Sequence, residues 1–427
     1  MSDRTLSDPD ALFSDLNTLC EFGGRFAGTA SEVAARNWLA RAASAALGVP
    51  CKEHHFHHVG WQALNARLSV NGDADALCHP LVRAEPTPPE GIEAEVVDLG
   101  RGLPEDFKAS GADLNGKIAM VGHEVMFSSD TFHRRKKLQL ARDAGAVAIL
   151  VVSRVANQPV TGSARAEEPG LPALGITPET AVAIRLARPS ERRARILIET
   201  RSQMAKGVNL LFDRPGASGK WIVLSAHYDG HDIGESALDN ATGVVLCLEI
   251  ARRLRNLYDF SNHGVRLAFF TFEEWGLIGS QRYVSELSVK EADQILLNIN
   301  ADTVVGGQGL TALTSGFKGL SSWLERELAE SSLSLKIHEP FQPNSDHASF
   351  ARHGIPALRL LSGFNEPESA AKFVLTGGDT RELVDPSSLE RAVDVTEHLT
   401  LSALRAGPDI TGRWPHKNYE PVASHRT

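Results

Sequence analysis

The pattern of apolar and polar positions divides the chain into three stretches of different texture. Residues 10–50 read as helical. Ala30–Leu47 is alanine-rich with apolar residues at helical spacing, and Gly48 and Pro50 supply the stop. A short strand-like run follows at 66–70. The texture changes near residue 85. Residues 93–99 and 117–121 predict strands, and 131–144 a basic amphipathic helix closed by Gly145. Residues 146–152 form a continuous apolar run of the kind found in buried strands. A Pro- and Gly-rich loop at 168–177 and a strand at 195–200 complete this region.

A third stretch begins near Gly207. Strands are predicted at 208–212, 221–226, 265–272, 295–300 and 357–361, and helices at 239–254, 275–287, 320–330 and 389–404. Strands and helices alternate, which predicts an α/β fold: a three-layer α/β/α domain with a largely parallel central sheet. The middle region carries none of the polar motifs described below, so it reads as an α+β insert. The division expected is 1–84 with 201–427 for the host and 85–200 for the insert. The tail from 407 is polar, either disordered or draped over a neighbour. No repeat of solenoid period is present.

Composition narrows the function classes. Of 427 residues, 42% are hydrophobic and 23% charged, enough apolar material for a packed core. The net charge of −9 argues against a general nucleic-acid binder, which needs a basic surface. Cys20, Cys51, Cys78 and Cys247 include no CxxC pair, which fits unpaired thiols in a reducing compartment. The N-terminus shows no secretory pattern, and the most apolar run, 144–153, is about half a bilayer span. The expectation is a cytoplasmic protein with a small-molecule substrate, no nucleic-acid or membrane partner, and scope for a homo-oligomer.

The chemistry gathers where strands end. The strand at 221–226 runs into His227-Tyr228-Asp229-Gly230-His231-Asp232, and a helix then opens at Asp239-Asn240-Ala241-Thr242-Gly243. The strand at 265–272 runs into Glu273-Glu274, and that at 295–300 into Asp302. Singly, each has a structural explanation: Asp239 as a helix cap, the glutamates as first-turn acids, His227 as a core histidine. Together they place several carboxylates and an imidazole at the carboxyl edge of one sheet, where active sites form. Burying such acids unpaired is costly, and a divalent cation compensates them. Imidazole with carboxylates suits Zn²⁺, Mn²⁺, Co²⁺ or Fe²⁺. Neighbouring glutamates at a strand-to-helix turn point in different directions. One can bind metal while the other accepts a proton from an attacking water. Asp229, two residues past His227, is placed to hold the imidazole.

These residues resemble the M28 metallopeptidases, the co-catalytic zinc aminopeptidases. The resemblance rests on His227-x-Asp229, Asp239-Asn240-Ala241-Thr242-Gly243, Phe272-Glu273-Glu274-Trp275-Gly276, Asn300-x-Asp302 and Ser345-Asp346-His347-x-x-Phe350, with Gly354-Ile355-Pro356-Ala357 following. It spans roughly 205–400 and the N-terminal helices. The insert resembles a protease-associated domain through Gly116-Lys117-Ile118 and Ala144-Gly145-Ala146. The resemblance implies that His227 and Asp302 bind one metal, that Asp239 bridges toward a second, and that Glu274 belongs to the second. It implies Glu273 as general base and acid, and Asp229 as the support of His227.

One position departs from that pattern. The family's last ligand is a histidine in a segment reading Tyr-His-Thr-Pro-x-Asp-Thr, and Val374-Leu375-Thr376-Gly377-Gly378-Asp379-Thr380 stands here. Leu375 occupies the histidine position and cannot bind metal. The expectation is therefore one Mn or Zn per chain and a metal-dependent hydrolase attacking a C–N bond of a small substrate. Aromatic-amine hydrolysis of the nitroanthranilate type is the particular reaction considered, with a conventional aminopeptidase and an inactive binding homologue as alternatives. His231 or His347 could also stand in for the missing ligand.

Overall fold

The computed structural model describes residues 9–72, 75–109, 114–164, 170–188, 191–257, 262–329 and 331–406. The chain opens with α1 (Pro9–Glu21) and α2 (Ala30–Leu47), then β1 (Lys52–Val70) and β2 (Cys78–Pro80). The middle region adds β3 (Ile92–Asp98), α3 (Pro104–Ala109), β4 (Ile118–Gly122), α4 (Arg134–Asp143), β5 (Ala148–Val152), β6 (Ala173–Ile176) and α5 (Pro178–Leu186). The return to the host is made by β7 (Arg193–Arg214). There follow β8 (Trp221–His227), α6 (Thr242–Leu257), β9 (Gly264–Phe270), α7 (Ile278–Ser285), α8 (Val289–Gln294) and β10 (Ile295–Ala301). The last elements are β11 (Leu310–Leu313), α9 (Lys318–Ala329), β12 (Lys336–His338), α10 (His347–Arg352), β13 (Ala357–Ser362) and α11 (Pro386–Arg405).

The host sheet runs β12-β11-β13-β10-β8-β9-β7, with β1 paired to β7. Its centre, β13-β10-β8-β9, is parallel, and β7 and β11 flank it antiparallel. These central strands are buried along nearly their whole length, as their continuous apolar sequences require. α6 packs on β8 with α1, α2 and α11 against it, while α7 and α10 pack on β7, β10 and β13, giving three layers. In the middle region β3-β4-β5-β6 are parallel, with β2 as an antiparallel edge.

Helix limits follow local chemistry. Thr29 caps α2 by accepting the Glu32 N–H, and Gly48 ends it in the left-handed region at φ 75°.

The long ribbon of β1 and β7 departs from the sequence reading. The runs at 66–70 and 195–200 are parts of strands of 19 and 22 residues, paired from Lys52↔Leu211 to Val70↔Ala194. At one end the ribbon feeds the main core through Phe56, Val208, Leu210 and Phe212. At the other it feeds a second core through Leu68, Val70, Ile196 and Ile198, packed with Ile118, Leu150 and Leu174 of the insert. Residue 200 therefore lies inside a continuous strand. β2, counted with the host in the sequence reading, pairs with β6. Residues 173–176 form β6 within a stretch read as loop. The tail from 407 lies outside the described residues.

Candidate metal centre and active site

Because β8, β9 and β10 are adjacent and parallel, their carboxyl ends open at one place. His227 is the last residue of β8, Asp302 the first after β10, and Glu273 and Glu274 lie in the turn after β9. Asp239 is not in a regular helix start. It sits in a wide turn, Ala237–Ala241, with φ/ψ of −120°/87°, and α6 begins only at Thr242.

The side chains converge. His227 Nε2 lies 3.0 Å from Asp239 Oδ1 and 3.7 Å from Asp302 Oδ1. One ligand atom each from His227, Asp239 and Glu274 lie within 4.8 Å of one another, and so do one each from His227, Glu273 and Asp302. The five residues named from sequence for metal binding and proton transfer thus share one site. Asp229 stands against His227 chiefly through its backbone. Its carbonyl oxygen lies 3.0 Å from His227 Nδ1, while its carboxylate is 3.7 Å away. That carboxylate instead accepts the N–H groups of Glu273 (3.2 Å) and Glu274 (3.4 Å), so it holds the glutamate turn.

Neighbouring groups fix the ligand-bearing backbone. Asp379 accepts the N–H groups of Leu238 (2.7 Å) and Asp239 (3.2 Å). Asn240 donates to the Ala301 carbonyl and accepts from Gly243 and Thr303, tying the wide turn to the end of β10. A Cβ on Gly243 would stand 2.3 Å from Asn240 Oδ1, so only glycine fits there. Asp302 is paired with Arg359, Nη2 to Oδ1 3.0 Å, both buried. Arg25 donates to five carbonyls, those of Leu19, Gly23, Tyr228, Glu235 and Ser236. This clamps the loop from 228 to 236 onto the N-terminal segment. Sequence reasoning missed Arg25 and Arg359, which nothing local marks, and gave Asp379 no role although it matches the Asp of the family segment.

The insert reaches the same cleft. The Phe127 ring lies under the Arg359 guanidinium at 4.9 Å, and Thr161 N–H donates to the Leu375 carbonyl at 2.9 Å. Arg135 Nη2 lies 3.1 Å from where a Cβ on Gly276 would stand, directly behind the glutamate turn. Burial pulls its guanidinium down to about 10, opposed by the charge of Glu273. The adjacent Arg134 is buried, held by the Ser163 carbonyl, and has no ion-pair partner among the described residues.

Electrostatics mark the cluster as unbalanced. Burial pushes the Glu273 and Glu274 carboxyls well above the usual range, and neighbouring carboxylates add to it; His227 offsets only part. Burial opposes charge on His227 too, yet the surrounding acids, Glu273 first, drive it well above its usual value. Burial raises Asp346 to about 7, and neither of its carboxylate oxygens has a hydrogen-bond partner among the described residues. One imidazole among four buried carboxyls is a donor set that fits a divalent cation.

The remaining histidines separate. His231 Nε2 is 2.7 Å from Glu274 Oε2. His347 is buried, and burial, with the charge of Arg359, pulls its imidazole down to about 3. Leu375 is buried at φ 67° and offers no ligand.

A three-layer α/β/α fold with a cation-fitting acid cluster at its strand ends defines a metal-dependent hydrolase. Residues 209–400 match the Peptidase family M28 model, and residues 80–184 match the PA domain model. The chain is similar to the Aminopeptidase YwaD of Bacillus subtilis, 27% identical over 404 residues, covering 92% of this chain and 84% of that one. It is 28% identical over 335 residues to a probable lipoprotein aminopeptidase, LpqL, of Mycobacterium tuberculosis, covering 74% of this chain and 66% of the other. A zinc aminopeptidase from Bacillus subtilis, BSAP, shares the fold, with a TM-score of 0.74 at 24% identity over 97% of this chain and 98% of that chain. The protein is accordingly a metal-dependent hydrolase acting on C–N bonds. None of these relatives supports the nitroanthranilate reading.

Proposed function

We propose that this protein is an aminopeptidase that removes N-terminal residues from peptides, using zinc. The observation that carries the reading is the state of Glu273. Its carboxylate stands beside His227 and Asp302, is 9% exposed, and makes no hydrogen bond or ion pair among the described residues. A buried, unengaged carboxyl whose proton affinity burial raises well above the usual carboxylate range is suited to take a proton from water and return it to a leaving amine.

His227, Asp239, Glu274 and Asp302 would hold the cation, which would supply Lewis acidity toward the scissile carbonyl and the attacking water. Glu273 would accept the water's proton and deliver it to the departing nitrogen. Asp229 would keep the glutamate turn in register through the two N–H groups it binds. The carboxylate-rich floor favours a substrate with a cationic amino terminus. The insert, docked through Phe127 and Thr161, would wall the cleft and limit substrates to short chains. The relatives named as aminopeptidases support this reading over aromatic-amine hydrolysis. Cys20, Cys51, Cys78 and Cys247 are unpaired, which supports a cytoplasmic location.

The test is a panel of aminoacyl anilides and dipeptides assayed after chelation and reconstitution with zinc, manganese or cobalt. Zinc-dependent release of N-terminal residues is expected. Silence across the panel, with turnover of an aryl amine, would overturn the reading.

A further inference from the structure

We propose that Arg135, carried by the insert and backed by Arg134, forms an anion-binding subsite at the glutamate turn that takes the free main-chain carboxylate of a short peptide. The proposal rests on the aminopeptidase reading above and narrows its substrate to dipeptides and other short free-acid peptides.

The sequence opens α4 with Arg134-Arg135-Lys136-Lys137 and puts no acid in its first turn. Cations at a helix N-terminus oppose the helix dipole, so this run does not serve the stability of α4. The lysines are accounted for. Lys137 pairs with Glu124 at 3.0 Å and donates to the Gly122 carbonyl, while Lys136 is exposed and lies over the Phe132 ring. The arginines have another setting. Arg134, 6% exposed, donates to the Ser163 carbonyl at 3.0 Å. Arg135 Nε donates to the Ser163 hydroxyl at 2.7 Å, which orients its guanidinium against Gly276. A Cβ on Gly276 would stand 3.1 Å from Nη2 and 3.5 Å from Nη1, so the glycine leaves the room that the guanidinium fills. Nη1 and Nη2 have no hydrogen-bond or ion-pair partner among the described residues.

Charge around Arg135 points the same way. Arg83 and Arg352 add positive charge to it, and of the acids acting on it Glu273 acts most strongly. The fork therefore stands near the group that would protonate a departing amine. A half-buried guanidinium with two unengaged nitrogens is costly unless water or an anion meets it. Two nitrogens in one plane match the two oxygens of a carboxylate, which a point charge such as lysine does not. The cleft thus offers acids to an ammonium group and a guanidinium fork to a carboxylate. A free dipeptide carries those two charges at its two ends, at most about 7 Å apart. The competing view makes Arg135 a structural tie between Ser163 and the turn.

The experiment compares leucylglycine with leucylglycinamide on the full-length wild type, Arg135→Gln and Arg135→Lys. Both ligands are titrated calorimetrically into the metal-free proteins, and kcat/KM is measured after zinc is restored. Circular dichroism and melting check folding. The wild type should favour the free acid over the amide by about 10–100-fold in both measurements, the range of a charge-assisted contact. Arg135→Gln should lose that preference through the acid alone and treat the amide as the wild type does. Arg135→Lys, which keeps the charge but not the fork, should fall between them, and it carries the test if Arg135→Gln does not fold. Equal treatment of acid and amide by the wild type, a full preference in either folded variant, or equal losses on both ligands would overturn the inference. So would a preference that follows an acidic side chain, in leucylglutamic diamide, and ignores the terminal carboxylate. A wild type that binds the free acid selectively but cleaves no peptide would sink the aminopeptidase reading and leave this one standing.

Discussion

Arg359 and Asp302 form a buried ion pair at 3.0 Å, directly at the end of β10. Burial alone would raise the Asp302 carboxyl, but Arg359 and then His227 outweigh it and hold Asp302 well below the usual carboxylate range. The acid is thus kept ionised and oriented without a cation present. Arg359 also bridges to the insert through the Phe127 ring, so one side chain connects the candidate metal centre to the domain that walls it. Removing it as Arg359→Met should leave a buried charge uncompensated and destabilise the metal-free protein by about 3–5 kcal/mol. Zinc should recover much of that loss, because the cation supplies the missing charge. Denaturant titrations with and without zinc would show it. An equal loss in both conditions would mean that Asp302 does not face the cation.

Glu273→Gln should abolish most turnover while leaving metal binding in place. General-base removal costs about 10²–10⁴-fold in rate, and the amide is close in size to the carboxylate it replaces. Single-turnover kinetics and metal counts on the same sample check both halves. Full activity in this variant would remove Glu273 from proton transfer.

Arg25→Lys should weaken the protein although it keeps the charge. A lysine has three donors on one atom and cannot span five carbonyls spread over two segments. With at least two buried carbonyls left unpaired, a loss of about 2–5 kcal/mol is expected. The loop from 228 to 236 should become sensitive to limited proteolysis. Wild-type resistance to protease in the variant would show that other contacts hold the loop.

Sequence reading found the strand ends well and the long ribbon poorly, for different physical reasons. At His227, Glu273 and Asp302 an apolar run stops abruptly on an acid or imidazole, and such a break is visible within ten residues. The ribbon of β1 and β7 gives no such signal. Its two ends bury side chains in different cores, the middle of β7 from Arg201 to Met204 is exposed, and β1 includes His54, His55, His57, His58 and Gly60. Asp239 was found as a residue but misjudged as a helix start, since the wide turn depends on Asp379 from more than a hundred residues away. Arg25, Arg134 and Arg135 act through distant partners, and no local pattern separates them from ordinary surface arginines.

The ribbon offers a pH-dependent prediction away from the active site. Asp213, near the end of β7, takes two hydrogen bonds from Arg266 on β9 and pairs with Lys52 on β1 at 3.0 Å. Burial would raise its carboxyl, but Arg266 and then Lys52 hold it below the usual value. A carboxyl depressed in the folded state contributes stability that is fully present above its unfolded value of about 3.9. That contribution is lost as pH falls through the lower folded value. Asp213→Asn should therefore cost about 1.5–3 kcal/mol at neutral pH, with the gap to wild type closing below about pH 4. Urea titrations of both proteins from pH 7 down to pH 3 would measure the gap. A difference that stays constant over that range would show that the lost stability is packing and not charge.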